Sequence, residues 1–79
     1  MLYRKGKFKI IITKHAFQQA NKRKVWPDLI ELTIQCGKMS WFGKKNVKFK
    51  KRFKRFELIC VDERIGNLIK IVTIEKRRR

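Results

Sequence analysis

Apolar residues recur along this chain with two different periods. Over Lys7 to Thr13, Phe8, Ile10 and Ile12 alternate with Lys7, Lys9 and Ile11, the every-second-residue pattern of a strand. The period then lengthens. Ala16, Phe17 and Ala20 form one stripe of a helix from Lys14 to Arg23, and Thr13 is placed to cap it, because its hydroxyl can accept an otherwise orphaned backbone N–H. His15, Gln19 and Arg23, spaced by four, share a different stripe. Pro27 and Asp28 predict the start of a second helix, since proline suits the first turn and an acid there interacts favourably with the helix dipole. Leu29, Ile30, Leu32, Ile34 and Cys36 give it a wide apolar surface, so it is expected to be mostly buried, with Gly37 as its stop.

From Lys38 onward the pattern is strand-like again. Met39 to Phe42 is a short strand, Gly43 to Asn46 a turn, and Val47 to Lys54 and Arg55 to Asp62 two further strands. Glu63 to Asn67, containing Gly66, closes a hairpin onto the β-branched strand Leu68 to Lys76. Val47, Phe49 and Phe53 keep one parity that Phe56 breaks, which predicts a bulge or bend near Lys54. The expected architecture is an α+β domain in the order β-α-α-β-β-β-β, with a mainly antiparallel sheet and both helices on one face. One domain over residues 1–76 is expected, followed by a basic tail, Arg77 to Arg79, that either holds phosphates or is disordered.

Composition changes the picture mainly through charge. The chain has 79 residues, 43% of them apolar, enough for a single core, although a domain of this size buries only about 60% of its unfolded surface. Lys and Arg number 23 against 6 acids, a formal net charge of +17. A fold so charged repels itself, and a polyanion relieves that repulsion while counterion release drives binding. A nucleic acid, RNA before DNA, is therefore the expected partner. An acidic protein and an anionic membrane are the competing polyanions. No apolar run approaches the ~18 residues of a membrane span, and no signal-peptide pattern follows the cations of the first twelve residues, so a cytoplasmic protein is expected. Cys36 and Cys60 lie far apart among apolar neighbours and read as buried free thiols. One histidine and scattered acids show no metal-ligand spacing, and no phosphate-binding glycine loop is present, so no metal or cofactor is expected.

Two features carry candidate chemistry. The run from Lys48 to Phe56 interleaves cations with Phe49, Phe53 and Phe56. On a strand, Lys48, Lys50, Arg52 and Lys54 would share one face and Arg55 would extend it, a row suited to following phosphates. The competing reading is a solvated edge strand loaded with lysine against aggregation. The phenylalanines read as core before base-stacking platforms. The one histidine is His15, a residue type able to serve as general acid or base at neutral pH. Cleaving RNA without a metal needs proton-transfer groups and cations for the developing phosphorane charge, and His15 with Gln19 and Arg23 beneath it supplies one such group and two anchors. A solitary histidine at a helix start is more often structural.

The segment Thr13-Lys14-His15-Ala16-Phe17-Gln18-Gln19-Ala20-Asn21-Lys22-Arg23 resembles the opening of a family of small proteins known only as a domain of unknown function, which reads T-x-H-A-x-x-R-x-x-x-R. Val25, the second helix ending at Gly37, and the strand Ile71-Val72-Thr73-Ile74 extend the resemblance over roughly residues 8 to 75. That family is similar to the RelE-like and BrnT-like toxins, small basic α+β ribonucleases of toxin–antitoxin pairs. The resemblance implies a RelE-like fold, metal-independent RNA cleavage, possible action on ribosome-bound RNA, and an acidic antitoxin as partner. It carries over His15, Arg23 and Thr73 as site residues. Gln19 stands where the family has its first arginine, and Lys22 or the 48–55 run is available to compensate. The alternatives kept beside this reading are a non-catalytic nucleic-acid-binding or ribosome-associated module, and a basic interaction protein that docks an acidic partner.

Overall fold

The computed structural model describes residues 2–78. In chain order the elements are β1 (Leu2–Lys5), β2 (Phe8–Ile12), α1 (Lys14–Lys22), α2 (Pro27–Cys36), β3 (Lys38–Phe42), β4 (Asn46–Arg52), β5 (Phe56–Ile65) and β6 (Leu68–Arg78). The strands form one six-stranded sheet in the order β1-β2-β6-β5-β4-β3. The α+β class and the succession of elements follow the expectation, with one strand added. β1 pairs with β2 through a tight turn in which Gly6 takes φ 58°, and it contributes only Tyr3 to the core. Four residues with a single inward side chain are too short a stretch to register as a pattern.

The sheet is mixed, not the mainly antiparallel one expected. β2 and β6 run parallel, from Lys9 beside Leu68 to Ile12 beside Ile71, while the remaining ladders are antiparallel. The reason is topological. The two helices carry the chain from β2 to the far edge of the sheet, and the β3-to-β6 meander then returns strand by strand until β6 meets β2. Which strand closes that gap is a long-range contact that local periodicity does not encode.

One face of the sheet and both helices share a core of Tyr3, Ile10, Ile12, Ala16, Ala20, Val25, Ile30, Ile34, Val47, Phe49, Leu58, Cys60, Ile69, Ile71 and Ile74. α1 packs along β6, and α2 lies against β4 and β5. The sheet curls around this core: Phe8 of β2 and Trp41 of β3, distant in strand order, bring their rings to 6.1 Å. The Arg64 guanidinium lies over both, 5.7 Å from Phe8 and 5.1 Å from Trp41.

Local chemistry sets the element ends. The Thr13 hydroxyl accepts from the Ala16 N–H at 3.2 Å, as expected of a cap, and itself donates to the Ile71 carbonyl at 2.9 Å. α1 ends as Lys24 enters the left-handed region at φ 57°, so that the Lys24 and Val25 N–H groups reach back to the carbonyls of Asn21 and Ala20. Gly37 ends α2 for a different reason. Its φ of −78° suits any residue, but a Cβ there would collide with the backbone oxygens of Thr33 and Lys50.

The strand boundaries at Lys54 resolve into a turn: the Phe53 N–H donates to the Phe56 carbonyl at 2.7 Å, and residues 53–55 belong to neither strand. A separate bulge lies elsewhere. Val61 pairs with Thr73 but Asp62 pairs with Ile71, leaving Val72 as the extra residue. That insertion lets Ile71 and Ile74, three apart, both reach the core. Arg77 and Arg78, expected in a tail, continue β6 opposite Glu57 and Phe56, and Arg79 lies outside the described residues.

Candidate nucleic-acid interface

Alternation along β4 divides its side chains between two faces. Val47 and Phe49 are fully buried, so Lys48, Lys50 and Arg52 emerge on the opposite, outer face of the sheet. Pairing with β3 sets Ser40 beside Lys48 and Lys38 beside Lys50, which adds a cation the run itself does not contain. The acid facing this row is Glu57 of β5, whose carboxylate lies 3.7 Å from the Lys50 amine and 3.4 Å from the Arg52 guanidinium. Lys54 and Arg55 sit exposed in the turn beyond the strand. Lys51 points the other way, its amine 5.5 Å from the Phe53 ring. Phe49 is core, as read from the sequence, while Phe53 and Phe56 are partly buried and stack with centroids 4.9 Å apart.

The register also joins this row to Thr73, a residue expected at the site from the other end of the chain. Lys48 pairs with Val61, and Val61 pairs with Thr73, so Thr73 and Lys48 stand in one cross-strand row on the outer face, two strands or about 10 Å apart. Farther along the same face, Arg52, Glu57 and Arg77 form a parallel row.

The stripe of His15, Gln19 and Arg23 faces the edge of β6. β2 stops pairing at Ile71, which leaves the following backbone of β6 without a strand neighbour on that side. α1 takes the neighbour's place. Gln19 Oε1 accepts from the Ile74 N–H at 3.4 Å, and Arg23 Nη1 donates to the Ile74 carbonyl at 2.8 Å. Lys76 Nζ returns to the Arg23 carbonyl at 3.4 Å. Gln19 and Arg23 therefore cover the Ile74 backbone from the helix side of the sheet, whereas the Thr73 side chain belongs to the outer face with Val61 and Lys48. His15 lies one turn earlier on the same stripe, exposed, and no hydrogen bond or ion pair among the described residues engages it. Lys22 is exposed near the end of the helix.

Three ionisable groups are shaped by burial. Asp62 is fully buried and neither carboxylate oxygen has a hydrogen-bond partner among the described residues, so desolvation raises its pKa to about 9. Burial also pushes the Cys60 thiol far up, with the neighbouring Asp62 adding to the effect. Tyr3 is raised by burial first and then by the nearby acids Glu31 and Asp28. Sequence reading missed Asp62 because the third strand was expected to end there. In the structure β5 runs on to Ile65, and the parity that buries Cys60 turns Asp62 inward too. Cys36, expected to be buried, is exposed at the end of α2. Among the described residues no three of His, Cys, Asp and Glu gather as a metal site requires, and no helix is long and apolar enough to cross a membrane.

No protein-family model, curated protein or solved structure matches the chain.

Proposed function

We propose that this protein binds RNA through its phosphates, using the outer face of the sheet. The observation that carries the reading is the outward-facing row of half-buried Lys48 and exposed Lys50 and Arg52, widened by Lys38, in a chain of net charge +17. Side chains two apart on a strand repeat every ~6.6 Å, a spacing that lets successive cations address successive phosphates of an extended strand. Each phosphate neutralised releases counterions, which makes the binding strong and salt-sensitive.

A toxin-type, metal-independent endoribonuclease is the finer form of this proposal. It is supported by the exposure of His15 on a stripe whose other members, Gln19 and Arg23, hold the backbone of Ile74, the residue after Thr73. His15 is then the group that transfers a proton at the 2′-hydroxyl or at the leaving 5′-oxygen, with the neighbouring cations stabilising the phosphorane. Arg23 combines that role with the support of Ile74, and an acidic antitoxin would cover the same cations. The rival is a non-catalytic module that uses the same face on RNA or on an acidic protein.

The deciding experiment incubates the purified protein with mixed cellular RNA and translating ribosomes beside a His15→Ala control. Fragments made only by the wild type support cleavage. Intact RNA with tight, salt-sensitive binding leaves the module, and no RNA binding at low salt rejects the RNA reading in favour of an acidic protein partner.

A further inference from the structure

At the end of the sheet where the β4–β5 turn, the N-terminal half of α2 and the last residues of β6 meet, the surface sinks into an open groove of about 590 Å3. Leu29, Phe53 and Phe56 line it as apolar walls, and Lys54, Arg55, Lys76 and Arg78 supply four cations around them. Among the described residues no carboxylate lines it. The two phenyl rings are stacked, inclined by only 18°, and the Lys76 amine stands 4.8 Å from the Phe56 centroid.

The chemistry of these walls defines the occupant. Cations without a balancing acid select an anionic group, and the apolar lining selects a flat or hydrophobic body attached to it. The volume falls within the range of small-molecule sites, enough for one nucleotide and far too small for a folded segment. Position adds a further argument. The outer row Lys48, Lys50, Arg52 ends at the turn, and Lys54 and Arg55 carry the positive charge round the end of the sheet to the groove. A strand following the row would deliver its next unit there. A base held within a duplex would not reach the phenylalanines, so the strand must be single and the base unstacked.

We infer that the groove lined by Leu29, Phe53 and Phe56 receives one unstacked base of single-stranded RNA, while Lys54, Arg55, Lys76 and Arg78 hold the adjoining phosphates. The inference rests on the RNA reading above and adds to it a strand preference and a base contact. Because every base has an apolar face, the contact tolerates any sequence.

The test compares a single-stranded RNA ten-mer with an abasic ribose–phosphate strand of the same length, by fluorescence anisotropy over a salt series. Phe53→Leu keeps the apolar volume but removes the ring, and thermal melting establishes that it folds. It is expected to weaken the ordinary strand roughly tenfold, the order that one base–aromatic contact supplies, and to leave the abasic strand unchanged. Arg55→Ala, in the exposed turn, is expected to weaken both strands and to flatten the salt dependence. If Phe53→Leu weakens both strands equally, or neither, the groove takes no base, while the phosphate reading stands. If the wild type binds neither strand at low salt, the RNA reading itself fails. A polyglutamate peptide whose binding falls with Phe53→Leu while RNA binding does not would assign the groove to an acidic protein segment and overturn the inference.

Discussion

Arg23 Nη1 donates to the Ile74 carbonyl at 2.8 Å, across 51 residues of sequence, at the point where β6 has lost its strand neighbour. With Gln19 on the N–H of the same residue, a helix supplies both of the backbone bonds that a strand would have made. A charged donor on an otherwise unpaired carbonyl contributes about 1–2 kcal/mol. Arg23→Ala is expected to lower the melting temperature by roughly 5–10 °C for a domain of this size, and Gln19→Ala, at the longer distance, by less. An unchanged melting curve for Arg23→Ala would show that the edge of β6 does not depend on this contact. The same measurement is the necessary control for any loss of RNA cleavage in that variant.

Asp62 sets the pH dependence of stability. Its unfolded pKa is near ~3.9, and burial raises the folded value to about 9. Between those values the native state holds the proton more tightly than the unfolded chain, so the Asp62 contribution to stability falls as pH rises through that window and levels off above about 9. Asp62→Asn removes the titration. It is expected to be more stable than the wild type at pH 7 by more than about 1 kcal/mol, with a flatter profile from acid to pH 9. Urea titrations at pH 5, 7 and 9 measure both; parallel profiles for the two proteins would contradict the buried, unpartnered carboxylate.

Glu57 restrains the cation row of β4. It shares its carboxylate between Lys50 and Arg52, at 3.7 and 3.4 Å, and is the acid that faces them. Surface pairs of this kind are worth about 0.2–1 kcal/mol, so Glu57→Gln is expected to tighten RNA binding by roughly 1.5- to 5-fold. Lys48→Ala, Lys50→Ala and Arg52→Ala are each expected to reduce the slope of log K against log salt by about 0.7 on single strands. Unchanged slopes for all three would remove the outer face of β4 from the interface.

The two thiols differ in reactivity. Cys36 is exposed, whereas Cys60 is buried on the core face of β5 with its pKa driven up. A thiol-specific disulfide reagent is expected to label Cys36 in the native protein and both cysteines in denaturant. Rapid labelling of Cys60 under native conditions would mean that β5 opens locally.

The sequence by itself determined the succession of elements from β2 onward, the Thr13 cap, the Pro27 start and the burial of Phe49, because each follows from neighbours within a few residues. It also determined the cation row on β4, since alternation within one strand is enough to separate Lys48, Lys50 and Arg52 from Val47 and Phe49. It placed His15, Gln19 and Arg23 on one stripe, but not what that stripe meets. Only the tertiary structure decided that β6 lies parallel to β2, that the bulge falls at Val72, and that Thr73 shares a row with Lys48 across Val61. Only it turned Asp62 inward, left Cys36 in solvent, and wrapped Lys54 and Arg55 round to meet Lys76 and Arg78. Periodicity records which way a side chain points relative to its own backbone. Register, strand order and the coverage of an edge depend on contacts between segments far apart in the chain, and their energies belong to pairs that no local window contains.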